Sequence, residues 1–250
     1  MTTDTTIIVE RQGRIARLQF HGPEQRNALS CSTMSRLAEE LESIDKDPSI
    51  SVVLLTGNGP AFCAGFDLGP VVDEPRRLND FIEELSLLLR SIRRNRAVII
   101  AAVQGAAIAG GCAIVSACDL VVVSPDAQLG YPVHPLGLSP VVSAPTLMQT
   151  IGDGPARALL MSGQLIDGTT AHQLGLASEV NDDPQGTGDE LARRISGHGP
   201  EALAATKHWL NELDGSLEDD RFTGPVAGSE PLASDTESIE LLRRRWGRRG

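Results

Sequence analysis

Two patterns of apolar residues, one typical of strands and one typical of helices, alternate along roughly the first 180 residues of the chain. Short runs of β-branched and small apolar residues, each too short for a buried helix, predict buried strands at 51–57, 98–103 and 120–123. Between these runs, apolar residues recur at helical spacing, which predicts amphipathic helices over 34–47 and 77–95. Strands that alternate with helices in this way indicate an α/β core.

The pattern changes to helices only beyond this core. Helices are predicted at 189–197, 200–213 and 235–245. A flexible linker is predicted over 181–188, a Gly/Pro/Ser-rich connection over 224–234, and a proline-containing loop over 69–76. We therefore divide the chain into a core, 1–188, and a C-terminal helical region, 189–250. No GxGxxG follows the first strand, so a dinucleotide-binding fold has no support.

The stretch from Ile99 to Val123 stands out from the rest of the pattern. A strand is followed by Gly105, Gly110 and Gly111 among small residues, and then by a short buried helix. A glycine turn that feeds a helix leaves backbone N–H groups unpaired at the helix N-terminus, which suits a developing negative charge. Close packing of the helix on the strand would explain the same glycines. Both interpretations stay open, because a glycine cluster alone is weak evidence for a binding site.

Composition and charge narrow the class of protein. The chain has 250 residues, 41% of them hydrophobic, and no apolar run approaches the roughly 20 residues that span a bilayer. The formal net charge of −11 argues against nucleic acid as a partner. The N-terminal residues lack a secretion pattern, and the four cysteines show no metal-binding spacing. We expect a cytoplasmic protein with reduced thiols, no metal and no membrane insertion.

Five segments, taken in order, resemble the crotonase (enoyl-CoA hydratase/isomerase) superfamily. They are PEQRNALS (23–30), LLTGNGPAFCAGFDL (54–68), AAVQGAAIAGGCAIVSACDLVV (101–122), AQLGYPVHPLGLSP (127–140) and ALLMSGQLIDGTTAHQLGLASEV (158–180). One such segment is weak, but five at the family's spacing cover nearly the whole chain. The resemblance implies an α/β fold of the crotonase type, a ββα superhelix with a C-terminal helical trimerisation region. It also implies homotrimers, which in the family often pair as hexamers.

The resemblance also implies a ligand and a site. Members bind acyl-CoA thioesters, so coenzyme A enters as part of the substrate and no separate cofactor is expected. Two backbone N–H groups polarise the thioester carbonyl, and the matching positions here are Phe66 and Gly110. An oxyanion hole needs such fixed donors in a site with little water. The positions that match the family's CoA lining are Arg26, Ala28, Ala64, Asp67 and Leu68, with Arg243 to Arg245 as weaker candidates.

The chain departs from the family at its acid residues. Hydratases and isomerases carry carboxylic acids at positions that are here Ala113, Val133 and Val141. None of these side chains can transfer a proton, so ordinary hydration of an enoyl-CoA is not expected. His134 lies beside one of the positions and could replace an acid, or could face solvent. Tyr131, the only tyrosine, could donate a hydrogen bond or anchor the loop.

Two functions remain open at this point. One is an enzyme that depends on the oxyanion hole, such as a decarboxylase or a thioester hydrolase, with or without the histidine. The other is a non-catalytic acyl-CoA-binding protein that kept the pocket and lost the proton transfer.

Overall fold

The computed structural model describes residues 4–246, which form ten strands and eleven α-helices. The strands are β1 (Thr6–Gln12), β2 (Ile15–His21), β3 (Val52–Gly57), β4 (Ala61–Cys63), β5 (Val98–Val103), β6 (Ala106–Ile108), β7 (Leu120–Val123), β8 (Gln128–Gly130), β9 (Leu165–Asp167) and β10 (Glu179–Val180). The helices are α1 (Cys31–Asp45), α2 (Gly69–Asp73), α3 (Arg77–Arg94), α4 (Gly110–Ala117), α5 (Ala144–Ile151), α6 (Asp153–Ser162), α7 (Gly168–Gln173), α8 (Pro184–Ser196), α9 (Pro200–Leu213), α10 (Asp220–Ala233) and α11 (Thr236–Trp246). The described part of the chain is thus a mixed α/β fold, with helices only after β10.

Six strands form the main sheet, in the order β1-β2-β3-β5-β7-β10. Only β1 and β2 are antiparallel; the remaining neighbours run parallel, with Leu54 opposite Ile100 in the central pair. Both faces of β3 are buried along its whole length. A parallel strand covered on both sides needs apolar residues at every position, which explains its continuous apolar run.

A smaller sheet, in the order β4-β6-β8-β9, lies where the connections between main strands turn. Its parallel strands β6 and β8 pair Ile108 with Gly130 at their ends. The Ala109 N–H then donates to the Gly130 carbonyl at 2.8 Å. This sheet therefore fixes the segment that leads into α4.

The main core lies between one face of the main sheet, the smaller sheet and the helices α1, α3, α4 and α5. On the opposite face, Leu191 and Ala192 of α8 pack on Leu54, Ile100 and Val122. The sheet is buried between these two layers, which is the arrangement that parallel sheets require.

The C-terminal region is joined to the core by an ion pair between a buried lysine and a half-buried aspartate. Lys207 of α9 is 5% exposed, and its Nζ donates to Asp119 Oδ2 at 2.7 Å. The same Nζ donates to the carbonyls of Ile92 and Ala97 at 3.2 and 3.0 Å. A buried ammonium needs such partners, because removing a charge from water is costly.

The structure corrects three predicted connections. Most of the predicted linker 181–188 belongs to α8, whose start is capped when the Gly186 N–H donates to Asp183 Oδ1 at 3.0 Å. The predicted loop 69–76 contains the short helix α2. The Gly/Pro/Ser-rich stretch 224–234 lies mostly inside α10, although that helix carries two internal prolines. In each case tertiary packing or a cap outweighs the local preference of glycine and proline.

Among residues 4–246, we find no helix with the length and apolar composition to traverse a bilayer.

Candidate functional site

Two glycine-containing turns meet at the N-terminus of α4. Gly65 has φ +89, and a Cβ placed on it would lie 2.8 Å from the Ile108 carbonyl oxygen. On the other side, a Cβ on Gly111 would overlap the Cys63 carbonyl. Only glycine permits backbones to approach this closely. The glycines therefore bring the chain before Phe66 directly against the turn before Gly110.

Each turn presents one backbone donor without a protein acceptor. Neither the Phe66 nor the Gly110 N–H hydrogen-bonds to any group within residues 4–246. Phe66 is held by its neighbours: Leu29 N–H donates to the Gly65 carbonyl, and Asp67 N–H donates to the Leu29 carbonyl, both at 2.8 Å. Gly110 is the first residue of α4, where N–H groups have no intrahelical partner. Both donors are thus fixed before any ligand binds.

The turn before α4 is strained. Ala109 has φ +50 and ψ −108, a conformation that side-chain-bearing residues seldom adopt. Such a residue costs about 1–3 kcal/mol and persists where the surroundings hold it in place. Here the hydrogen bond from Ala109 to Gly130 holds it. Strained residues of this kind cluster at functional sites. Ala109 directly precedes Gly110, whose N–H is one of the two donors.

Phe66 and Gly110 line a cavity of about 540 Å³. Its walls come from the turn, from α3, from the loop after β8 and from α10, and they are predominantly apolar. They consist of Phe66, Leu78, Ile82, Leu85, Ala109, Gly110, Tyr131, Val133, Leu138, Ser139, Pro140, Val142, Ser143, Ser229 and Leu232. In this set, drawn from the described residues, Tyr131 is the only side chain that can ionise. The cavity can take an apolar group whose polar end lies at the two N–H donors.

A second cavity, of about 720 Å³, adjoins the first and shares Phe66, Ala109, Val133 and Leu138 with it. Two predicted CoA-lining residues, Ala64 and Leu68, belong to its wall, together with Arg245 of α11. The three remaining wall segments are 108, 132 and 135–136. The structure therefore brings part of the predicted ligand lining and one cation next to the donors.

Three other predicted CoA contacts line neither cavity. Arg26 is exposed, with φ +52, and its carbonyl accepts the Ala64 N–H at 3.0 Å. Ala28 is half-buried in the same loop. Asp67 Oδ1 accepts the Gly69 N–H at 3.1 Å, in the turn that leads into α2. The hydrogen bonds of Arg26 and Asp67 hold the local backbone in place. Of the three residues, only Arg26 has an exposed charged side chain.

Of the three positions without an acid, Val133 lines both cavities. Ala113 is fully buried in α4, and Val141 is half-buried in the turn before α5. His134 is exposed in a 3₁₀ turn, and a Cβ on Gly163 would lie 3.3 Å from its Nδ1. Leu136, in the same turn, is buried instead. The turn therefore directs the histidine away from the donors and outside both cavity walls.

Tyr131 differs from His134 because it is fully buried and lines the first cavity. Its hydroxyl is buried against the side chains of Cys112, Ser116 and Ser143. Burial, and next the neighbouring Cys112, raise the pKa of Tyr131 well above its ordinary value. The phenol is therefore neutral at physiological pH and can donate a hydrogen bond.

The buried cysteines offer no nucleophile. Burial raises the pKa of Cys63 and the pKa of Cys112 to about 12. Both thiols therefore remain protonated near neutral pH, and a protonated thiol is a poor nucleophile. The described residues also contain no group of three or more His, Cys, Asp or Glu side chains that could hold a metal ion.

Sequence reasoning missed several wall residues and one positioning residue. Leu78, Ile82 and Leu85 follow a helical stripe that the sequence displays, but the stripe does not reveal which part faces a cavity. Ser229 lies in the stretch predicted as a connection. Asn27 is fully buried, and its Nδ2 donates to the carbonyls of residues 58, 61 and 62. Asn27 thus holds the segment that leads to Phe66.

A model of the enoyl-CoA hydratase/isomerase family matches residues 10–220. Among similar proteins, the 2,3-dehydroadipyl-CoA hydratase of Escherichia coli is 35% identical over 82% of this chain and 82% of its own length. Enoyl-CoA hydratase EchA19 of Mycobacterium tuberculosis is 33% identical over 86% of this chain and 84% of its own. The crystal structure of an enoyl-CoA hydratase/isomerase from Mycobacterium paratuberculosis superposes with a TM-score of 0.87 at 23% identity, covering 98% of this chain and 100% of that chain. This last likeness shows that the fold is of the crotonase type.

Proposed function

The chain belongs to the enoyl-CoA hydratase/isomerase family, and on this basis we propose that it binds an acyl-CoA thioester and polarises the carbonyl through Phe66 and Gly110. The observation that carries the proposal is the pair of backbone N–H groups that line one cavity and donate to no acceptor within residues 4–246. Preorganised donors stabilise a developing oxyanion because they need no rearrangement when the charge forms.

The two adjoining cavities suit the two ends of such a ligand. The thioester carbonyl lies at the donors, the acyl chain fills the first cavity, and the pantetheine arm follows the second, past Ala64 and Leu68. Arg245 at the second cavity and exposed Arg26 supply cations for the phosphates of CoA. Local arginines matter because the net charge of −11 repels an anionic ligand at long range.

The acyl chain is uncharged in this proposal. No lysine, arginine or histidine of the described residues lines the first cavity. A carboxylate buried there without a partner would lose its hydration, at a cost of several kcal/mol. The E. coli relative is named for a dicarboxylic substrate, 2,3-dehydroadipyl-CoA, and this chain is expected to differ from it.

The protein does not hydrate enoyl-CoA at ordinary rates in this proposal, and acts as an acyl-CoA-binding protein. Val133 offers no proton, and neither buried Ala113 nor Val141 can supply one. Each positioned proton-transfer group contributes about 10²- to 10⁴-fold to a rate. A decarboxylase or thioester hydrolase that uses His134 has less support, because His134 lies outside both cavity walls.

The proposal also includes a homotrimer, located in the cytoplasm. Two such trimers could pair to form a hexamer. Trp209, Leu210 and Leu213 of α9 are 62%, 58% and 81% exposed. Gln149 Nε2 donates a hydrogen bond to the backbone carbonyl of Asp214, directly after α9, at 3.0 Å. Exposed Met148, the neighbour of Gln149, therefore lies near these three side chains. An apolar face of this kind favours a second copy of the chain. All four cysteines are free thiols, as a reducing compartment requires.

Calorimetric titration with octanoyl-CoA, adipyl-CoA and free CoA tests the proposal. We expect octanoyl-CoA to bind more tightly than either of the other two. A parallel assay follows hydration of crotonyl-CoA. Failure of every acyl-CoA to bind would overturn the binding proposal, and hydration at rates ordinary for the family would overturn the reading of the missing acids.

A further inference from the structure

The helix α11 packs directly on the loop after β8, at one glycine. Ser238 of α11 is 4% exposed, and its Oγ donates to the Gly137 carbonyl at 2.9 Å. Gly137 has φ +72, and a Cβ placed on it would lie 2.6 Å from Ser238 Cα. Only glycine permits the helix to approach the loop this closely. We call this pair, Gly137 and Ser238, the α11 contact.

On the loop side, the α11 contact belongs to a turn that lines the cavities. Leu136 and Leu138 flank Gly137, and both line the second cavity. Leu138 lines the first cavity as well. The turn is closed by the Gly137 N–H, which donates to the His134 carbonyl at 2.9 Å. The helix therefore rests on the same turn that shapes the cavity walls.

On the helix side, the α11 contact fixes which side chains turn toward the cavity. Ser238, Leu242 and Arg245 are spaced by four and three residues, so they share one face of the helix. Leu242 is 2% exposed, and Arg245 lines the second cavity. Arg243 and Arg244 lie off this face and are exposed. The contact therefore selects Arg245, among the arginines of the last turn, as the cation next to the ligand.

The first turn of α11 keeps its cap without the Ser238 side chain. The Ser238 N–H donates to Asp235 Oδ2 at 2.8 Å, directly before the helix. The Ser238 Oγ also lies 3.0 Å from this carboxylate oxygen, but the N-terminal cap needs only the backbone donor. A substitution of Ser238 can thus break the α11 contact and leave the helix capped.

We propose that Ser238 is a positioning residue for the phosphates of the ligand: by holding α11 on Gly137, it keeps the Arg245 guanidinium at the wall of the second cavity. The inference rests on the acyl-CoA binding proposed above. It assigns α11 to the nucleotide end of the ligand and not to the acyl end. When the α11 contact is broken, Arg245 leaves the wall in part of the molecules, and the apparent affinity falls with the fraction that stays docked.

The test compares octanoyl-CoA with octanoyl-pantetheine, which lacks the phosphates and the adenosine, by calorimetry. Ser238→Leu introduces a side chain for which the close approach to Gly137 leaves no room. Thr236→Leu is the matched control, because Thr236 is exposed in the same turn of α11. Arg245→Gln removes the cation alone, and a double variant combines it with Ser238→Leu. Melting curves check that the variants remain folded.

We expect Ser238→Leu and Arg245→Gln each to weaken octanoyl-CoA binding about three- to fivefold, as an exposed ion pair allows. The double variant should bind no more weakly than either one, since both changes remove the same interaction. Octanoyl-pantetheine affinity should stay unchanged throughout, and Thr236→Leu should bind both ligands like the wild type.

Three results would overturn the inference and leave acyl-CoA binding intact. They are wild-type octanoyl-CoA affinity in Ser238→Leu, losses that add in the double variant, and a loss of octanoyl-pantetheine affinity in Ser238→Leu, which would make the role of Ser238 merely structural. Absence of octanoyl-CoA binding in the wild type would overturn the proposed function itself.

Hydrogen exchange of the wild type tests the inference even if Ser238→Leu does not fold. Octanoyl-CoA should slow exchange of the backbone amides of α11. Octanoyl-pantetheine should protect only α10, whose Ser229 and Leu232 line the first cavity. Equal protection of α11 by both ligands, or none by octanoyl-CoA, would contradict the role of α11 at the nucleotide end.

Discussion

Replacing Gly110 with proline removes one of the two carbonyl donors and places the ring Cδ where the N–H hydrogen was. Gly110 is the first residue of α4, a position where proline fits the helix and where the lost N–H has no helical partner. A Cβ at this position would lie 3.1 Å from Leu29 Cδ1 and 3.3 Å from Phe66 Cε1. Gly110→Ala adds the same Cβ but keeps the N–H, so it is the matched control.

The lower bound on the expected loss is the free energy of a single hydrogen bond, because the ring Cδ also takes space that the ligand carbonyl would use. A bond from one backbone N–H to a neutral carbonyl contributes about 0.5–1.5 kcal/mol, which is about 2- to 13-fold in Kd. Gly110→Pro should lose at least this much affinity for octanoyl-CoA relative to Gly110→Ala, and none for free CoA. Any turnover that proceeds through an enolate should fall further, by about 10²- to 10³-fold, because the donor matters more for the charged oxygen.

Infrared difference spectra of a thioester labelled with ¹³C at its carbonyl measure the polarisation directly. In the wild type and in Gly110→Ala, the bound carbonyl band should lie below its frequency in water. In Gly110→Pro it should move back toward that frequency, and circular dichroism shows whether the variant is folded. A wild-type band that does not shift on binding would refute the reasoning, even if the proline variant fails to fold.

Three further predictions concern the rest of the molecule. Lys207→Met leaves half-buried Asp119 with the Ile99 N–H but without its ammonium partner, and should destabilise the fold by about 1–3 kcal/mol in urea unfolding; an unchanged midpoint would contradict a stabilising ion pair. Cys63 should resist iodoacetamide at pH 8 until the protein unfolds, since its thiolate forms only near pH 12, while half-buried Cys31 should react earlier, as mass spectrometry of timed samples will show. Leu213→Asp should dissociate the proposed trimer to monomers in light scattering, and an unchanged mass would exclude the exposed face of α9 from the interface.

The sequence predicts the parts of the fold whose local and tertiary signals agree. The strand 51–57 and the helix 77–95 appear nearly as predicted, as β3 and α3, because their hydrophobic periods match the faces that they bury. α10 was missed because its prolines and glycines favour a break. It forms because Phe222 is buried against α3, where Ser86 Oγ donates to the Phe222 carbonyl at 2.7 Å.

Part of the candidate site could be predicted from the sequence for a similar reason. Phe66 and Gly110 stand in short motifs whose glycines are required by backbone contact, so the sequence carries a local mark of them. The direction of the His134 side chain depends on the orientation of one 3₁₀ turn, which the sequence around it does not predict. Leu232 reaches the cavity only through the docking of a helix far along the chain. Such residues follow from tertiary structure and not from spacing.

The wall that α10 contributes has a thermodynamic consequence. Ser229 and Leu232 close the first cavity, and they do so only while α10 is docked on α3 through Phe222, whose ring lies 5.4 Å from the Arg94 guanidinium carbon. Ligand binding and helix docking are therefore linked equilibria, since a ligand that touches the docked helix favours the docked state in proportion to its affinity for it. A ligand at 100 times its Kd would protect this helix from local unfolding by at most about 2.7 kcal/mol, the value for a ligand that does not bind the undocked state. The C-terminal segment thus reports occupancy of the cavity through its own stability.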